Sequence, residues 1–307
     1  MSPLTYCVPR DTAAAAPQLI GRCEHAGLLL TRFSSNEAIA REATAGDRFT
    51  LERDVWLKQI VSQITFESQT VKEVCAGVYE RWFAMTEGGS RFAMIAREKL
   101  VVGLGAKGAL EMGITLHHTT GLPYIPGSAL KGLARSYALL TLAAEHKVAL
   151  DGVEDFDKRL ISGHLDSKVN EAPQYREVFG QATEQKYDIH DSAAGSVVFY
   201  DAVLYDVPAG VREGRLFTLD VMTPHFPKYY RSSGGQPPND ADGPNPVTFL
   251  TVNAGLVFAF AVGLRKNGSD EARKQARKWL RAGLQEMGIG AKTAAGYGVF
   301  MPPPKQS

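Results

Sequence analysis

The sequence predicts an α+β domain in the order strand, helix, strand, strand, helix, strand, preceded by a mostly helical extension. Three observations carry this reading. Apolar residues recur at threes and fours over 127–146 and 269–288, the spacing of amphipathic helices. β-Branched and aromatic residues concentrate in 195–207 and 247–264, as strands favour. Glycine- and proline-rich runs separate these segments.

At the start, Val55, Ile60, Val61, Ile64, Val71, Val74, Val78 and Trp82 recur at helical spacing with charges between them. "TEGGSR", 86–91, breaks that pattern. "REKLVVGLGAKGALEMGITLHH", 97–118, reads as two short β-prone runs around a glycine-rich bend, and a helix follows from about Gly127 to His146. A polar, irregular region covers 151–194. "GSVVFYDAVLYDV", 195–207, reads as a strand, with "RLFTLDVMT", 215–223, as its antiparallel partner. Six prolines in the 24 residues of 223–246 exclude regular structure there. "VTFLTVNAGLVFAFAVGL", 247–264, reads as one long strand or a bulged pair. "SDEARKQARKWLRAGLQEMG", 269–288, is a helix capped by Ser269 or Asp270 and stopped by Gly288. "IGAKTAAGYGVFM" then leads a glycine-rich loop into a last strand.

The expected organisation is an extension over 1–95, a core over 96–301 with insertions at about 151–194 and 223–246, and a tail over 302–307. The element order is the ferredoxin-like, RRM-like βαββαβ pattern, an antiparallel sheet with both helices on one face. Its open face is a common place to lay single-stranded RNA.

A chain of 307 residues with 44% hydrophobic and 22% charged residues can bury a sizeable core, as one elaborated domain or two small ones. Its 34 Lys and Arg against 33 Asp and Glu give a net charge of +1, so contact with a polyanion must come from a local patch. Cys7, Cys23 and Cys75 have no Cys-x-x-Cys spacing, which argues for a reducing compartment. Cys23-Glu24-His25 lacks the further ligands a zinc site needs, so buried or idle thiols are expected, with no metal and no cofactor. The N-terminus lacks signal-peptide character and no apolar run reaches about 18 residues, so a cytoplasmic protein is expected.

Four stretches carry candidate chemistry. In "GLPYIPGSALKGLARSY", 121–137, the prolines and Gly127 turn the chain into a helix start, where free N–H groups and the positive dipole end favour an anion. At about 100° per residue Ser128, Lys131 and Arg135 share one stripe, opposite Leu130, Leu133, Ala134 and Tyr137. The stripe reads as a phosphate grip or as a solvated basic face. Ser128 and Lys131 also fit a Ser-x-x-Lys acyl enzyme, but no Ser-Asp-Asn follows before Lys292-Thr293-Ala294. The glycine loop fails as a nucleotide-binding P-loop: Ala291 precedes Lys292, and the loop runs from helix to strand. Close backbone approach survives as a reading, with Gly290 and Lys292 beside a sugar-phosphate chain, against a plain structural turn. In "DVMTPHFPKYYR", His225, Lys228, Tyr229 and Arg231 interleave aromatics with cations, a composition suited equally to RNA and to a protein interface. His117 and His118 close a strand candidate, as acid–base groups, RNA contacts or satisfied strand-end histidines.

"GLGAKGALEMGITLHHTTGLPYIPGSALKGLARSYA" resembles the N-terminal signature of the RAMP superfamily of CRISPR proteins, and "GIGAKTAAGYGVF" resembles its C-terminal glycine-rich loop. "LDVMTPHFPKYY", "PPNDADGPNPVTFLTV", "YCVPRDTAAA" and "HAGLLLTRF" are similar to the family of sixth subunits of Cmr, or type III-B, effector complexes. The resemblance implies a modified ferredoxin-like core of the Cas7 group inside a ribonucleoprotein that carries CRISPR RNA and captures target RNA. It further implies a place toward the CRISPR RNA 3′ end, capping the backbone RAMP subunits beside the small helical subunit and a terminal RAMP subunit. Target cleavage in such complexes belongs to the backbone subunit, through an aspartate in a loop after its first strand. The matching neighbourhood here, Thr115 to Tyr124, has no acidic residue, so no enzyme activity is expected. The alternatives are a metal-dependent RAMP-type ribonuclease or the acyl enzyme. The RNA contacts implied are Ser128, Lys131, Arg135, Gly290 and Lys292, with His225, Lys228, Tyr229 and Arg231 in the proline-rich loop.

Overall fold

The computed structural model describes residues 8–34, 46–105, 113–165, 167–181, 193–223 and 246–304, among which the side chains of 10, 46–52 and 212 are not described. The residues form two compact units. The first draws on Met1–Glu73, Gly103–Pro123 and Val211–Asn253, the second on Val74–Val102, Tyr124–Gly210 and Ala254–Ser307.

In the first unit lie helices α1 (Arg10–Leu19), α2 (Ala26–Thr31) and α3 (Gly46–Gln63). Gln63 at the end of α3 donates from Nε2 to the carbonyls of Ile20 and Cys23, both at 2.6 Å, and so ties α3 to the short turn after α1. Helix α4 (Gln69–Met85) contains the division between the units. The second unit holds α5 (Gly127–Glu145), α6 (Val153–Ile161), α7 (Ala172–Phe179) and α8 (Asp270–Glu286).

The strands are β1 (Ser90–Ala96), β2 (Tyr124–Ile125), β3 (Gly180–Gln181), β4 (Ala193–Ala194), β5 (Val197–Phe199), β6 (Ala202–Asp206), β7 (Phe217–Met222), β8 (Val247–Val252), β9 (Val257–Leu264) and β10 (Phe300–Met301). In the second unit they form an antiparallel sheet in the order β10-β1-β9-β6-β2, with β5 also on β9. The first unit contains the antiparallel pair β7–β8.

Several expectations hold at the level of elements. The helix from Gly127 ends at Glu145, and the last helix starts on a Ser269 cap whose hydroxyl accepts from the Ala272 amide at 3.1 Å. Gly288, just past that helix, has φ 74°, the left-handed stop a glycine supplies. Other readings need correction. The strand at 215–223 pairs with 247–252, not with 195–207, because β5 and β6 both bond to β9. The apolar run 247–264 is accordingly two strands serving different sheets, divided at the Gly255 turn where φ is 85°. The region 151–194 is not irregular throughout, since α6 and α7 lie in it. The first strand is Ser90–Ala96, ahead of the β-prone run 97–118, whose described part adds the isolated bridge Leu116–Pro123.

The largest correction concerns the sheet face. Phe92, Phe260 and Phe300 point to the α8 side, with Phe92 and Phe260 stacked at 5.3 Å and Phe260 edge-on to Phe300 at 5.4 Å. Their neighbours along the strands are turned the other way. There Ala93, Ala259 and Val203 are register partners across β1, β9 and β6. Trp82 of α4 is buried on Val203, Ala259 and Ala261, with Val78, Tyr79 and Tyr200 packed around it. Its indole N–H donates to the Asp201 carbonyl at 2.8 Å. Alanines on β9 make room for an indole, so α4 covers the part of the face that was expected to stand open.

Cys75 is buried in α4, and burial pushes its thiol up to about 12. Alkylation with iodoacetamide at pH 8 should leave Cys75 unmodified in the folded protein and label it fully in denaturant. Intact-mass and peptide-mass analysis reads the outcome, and native labelling of Cys75 would show that this part of α4 is not packed as described.

Candidate nucleic-acid interface

Helix α5 starts where two backbones nearly touch. A Cβ on Gly127 would collide with the Phe199 carbonyl, which explains a glycine directly after Pro126. Pro126 provides no side-chain cap. Instead the Gly127 amide donates to Asp201 Oδ1 at 2.7 Å, so a carboxylate from the turn after β5 occupies this end of the helix dipole. An anion at the helix start is therefore supplied in part by the protein itself. Removing it in Asp201→Ala should cost about 1 kcal/mol of stability, the typical worth of a capping side chain. Urea denaturation checks this, and an unchanged midpoint would show that the cap is idle.

Ser128 is exposed beside that cap. Among the described residues no hydrogen bond links it to Lys131, so the Ser-x-x-Lys spacing does not produce a dyad in this structure. Lys131 is half-buried one turn on. Partial burial, and then the like charges of Arg265 and Arg135, hold its ammonium below the ordinary lysine value. The charges of Arg265 and Arg135 thus bear on Lys131 near the start of α5, a repulsion that a phosphate would relieve.

Arg265 is the residue that sequence reasoning missed. It follows β9 directly, far from 128–135 in the chain, and no local motif marks it. Pairing of β5 with β9 brings it in: Val197 stands opposite Leu264, and the Arg265 amide donates to the Ser196 carbonyl at 2.7 Å.

Arg135 is less available than its stripe suggested. Its Nη2 pairs with Asp157 Oδ2 of α6 at 2.7 Å, and its Nε donates to the Tyr175 hydroxyl of α7 at 3.2 Å. Tyr175 in turn donates to Asp157 Oδ1 at 2.7 Å. Burial works against the guanidinium, but Tyr175 and Asp157 outweigh it and raise its pKa. Burial and Asp157 also push the Tyr175 hydroxyl up, which keeps it a donor. With a side chain 40% exposed, Arg135 can still meet solvent, but half of its fork ties α5 to α6 and α7.

The glycine loop stands on a different support. Gly290 has φ 93° and its Cβ would strike the Val101 carbonyl, while Gly298 has φ 69° and its Cβ would strike the Ile289 carbonyl. The Ala291 amide donates to Val101 and the Gly298 amide to Lys99, both at 2.8 Å. Close approach therefore exists, but for Gly290 it is to the protein's own backbone. Lys292 sits at φ 61° with its ammonium 5.7 Å from the Tyr297 ring centre. His225, Lys228, Tyr229 and Arg231 lie outside the described residues.

His25 and His117 have local partners, and His118 is exposed. His25 Nδ1 accepts from the Leu28 amide at 3.1 Å as the cap of α2. His117 Nδ1 lies 3.2 and 3.1 Å from the Thr119 and Thr120 hydroxyls. Among the described residues no group of three or more His, Cys, Asp or Glu is placed to hold a metal, and no helix is long and apolar enough to cross a membrane.

The model of the RAMP superfamily matches residues 96–300, from the end of β1 to the start of β10. The chain belongs to the RAMP superfamily. Within it, this member is 32% identical over 228 residues to the CRISPR system Cmr subunit Cmr6 of Pyrococcus furiosus, covering 66% of this chain and 64% of that protein. It is 26% identical over 212 residues to the Cmr6 subunit of Saccharolobus solfataricus, covering 68% and 56%. The chain thus spans less than two thirds of the length of either relative. A chain of the type III-B Cmr-beta complex, solved by cryo-electron microscopy with cognate target RNA, superposes with a TM-score of 0.54 at 21% identity, over 85% of this chain and 75% of that one. That likeness is one of fold.

Proposed function

We propose that this RAMP protein is a non-catalytic, RNA-binding subunit of a type III-B (Cmr) CRISPR ribonucleoprotein. It contacts CRISPR RNA and target RNA toward the CRISPR RNA 3′ end and caps the backbone RAMP subunits, next to the small helical and terminal RAMP subunits. The observation that carries the reading is the similarity to two Cmr6 subunits within a superfamily whose model matches the sheet-bearing region. The strand order β10-β1-β9-β6, antiparallel throughout with α5 and α8 as crossovers, supports a modified ferredoxin-like core.

The chemistry at α5 supports RNA contact. Lys131 and Arg265 are cations without an acidic partner among the described contacts, and after partial burial the charge of Arg265 helps to lower the Lys131 pKa. With α4 over the sheet face, RNA is held through phosphates at the helix start and not by bases stacked on that face. An assembly role without catalysis fits the Asp201 carboxylate at the start of α5, which is engaged as a cap.

Purification of the tagged protein from cells expressing the other Cmr subunits, with sequencing of the bound RNA, tests the reading. Cmr subunits and CRISPR RNA are expected together, and recovery of the chain with neither refutes the assignment. Labelled target RNA incubated with the isolated chain and Mg²⁺ should stay intact, whereas cleavage would establish a nuclease.

A further inference from the structure

We infer that the open edge of β1 receives an extended, acidic segment of a neighbouring protein subunit as an added strand. The inference rests on the Cmr reading above only for the identity of the neighbour.

β1 pairs with β9 along Ser90–Ile95, but with β10 only at Ile95 and Ala96. The reason lies just past β10. Residues 302, 303 and 304 are all proline, without N–H groups to continue a ladder. Ala96 exchanges bonds with Leu256 and Gly255 on the β9 side, whereas the Arg97 amide donates to Val299 on the β10 side. Alternation then directs the N–H and C=O of Arg91 and Ala93 away from β9. Among the described residues no strand lies there. Ser90–Met94 spans about 17 Å at about 3.4 Å per residue, enough for a five-residue segment.

Edges are usually blunted by charge placed on the edge itself or by a cover. Here the arginines lie along the two faces of the strand. On one face the Arg91 guanidinium sits 3.7 Å from the Phe83 ring centre. On the other, Arg277 and Arg281 of α8 sit 5.3 and 5.7 Å from the ring of Phe92, and Arg277 Nη1 bonds to Ser90 Oγ at 3.1 Å. Partial burial and then Arg281 lower the Arg277 pKa, the mark of cations crowded without enough negative charge. Side chains alternating from an added strand would meet these two faces, and acidic ones would neutralise both. A protein strand fits better than RNA. Phosphates could accept from the outward N–H groups, but the donors of RNA, its 2′-hydroxyls and base N–H groups, do not alternate with its phosphates at strand spacing, whereas a peptide backbone meets both the N–H and the C=O of Arg91 and Ala93 in register.

The test compares amide hydrogen exchange of Arg91 and Ala93 in the isolated chain, in the assembled Cmr complex, and in the isolated chain with a single-stranded RNA oligonucleotide. At least tenfold slower exchange in the complex is expected, with no change from RNA alone. Ala93→Pro removes an outward N–H and leaves the β9 ladder intact, so it should keep its melting temperature and enter the complex at least tenfold less well. Arg277→Glu with Arg281→Glu should also reduce entry, through charge alone. If the wild-type chain assembles while these amides exchange as freely as before, the inference falls and the Cmr reading stands. Protection by RNA alone overturns the protein partner. A wild-type chain that joins no Cmr subunit defeats the reading and the inference with it.

Discussion

Trp82→Ala should destabilise the protein by about 3–5 kcal/mol, the usual cost of emptying a buried tryptophan site. Trp82 is 3% exposed, and its indole fills the space over Ala259 and Ala261, which are too small to close the gap themselves. Loss of this magnitude is a large fraction of a typical folding free energy of about 5–15 kcal/mol. Trp82→Phe separates packing from hydrogen bonding. It keeps a ring against Val203 but loses the donor to the Asp201 carbonyl, and it should cost much less than the alanine change. Urea denaturation of the two variants reads both effects. A loss below about 1 kcal/mol for Trp82→Ala would mean that α4 contributes no core to the sheet.

That prediction could not have been made from the sequence. Trp82 was legible as part of an apolar helical stripe, but periodicity reports only that a face is buried, not against what. The two crossover helices were legible because each carries its own stripe and start signal, Gly127 after Pro126 and Ser269 before Ala272. Strand pairing was not. Residues 215–223 and 195–207 look like a hairpin when proximity in the chain is the only guide, yet β9 outcompetes β7 for β5 and β6. Its residues from Val257 to Gly263 are buried throughout, so it needs strands on both edges. The candidate site divides in the same way. Lys131 was visible on its stripe, whereas Arg265 arrives through that unforeseen pairing, and the Asp157 that engages Arg135 sits in a helix read as irregular chain.

The double variant Lys131→Ala, Arg265→Ala should therefore weaken RNA binding with little effect on folding, while Arg135→Ala should do part of the reverse. Lys131 and Arg265 make no salt bridge among the described contacts, so their removal leaves no buried partner behind. If each neutralises one phosphate of a single strand, their loss lowers the slope of log K against log salt by about 1.4, and affinity at low salt by roughly tenfold or more. Arg135→Ala strands Asp157 and the Tyr175 hydroxyl between α6 and α7, a cost of order 1 kcal/mol for a pair that remains partly exposed. Any RNA defect in that variant must be corrected for folding before it is ascribed to contact. Fluorescence anisotropy with a labelled oligonucleotide at several salt concentrations, beside denaturation of each variant, separates the two effects. An unaltered salt slope in the double variant would remove Lys131 and Arg265 from the RNA path, and would leave the start of α5 as a helix capped for stability by Asp201.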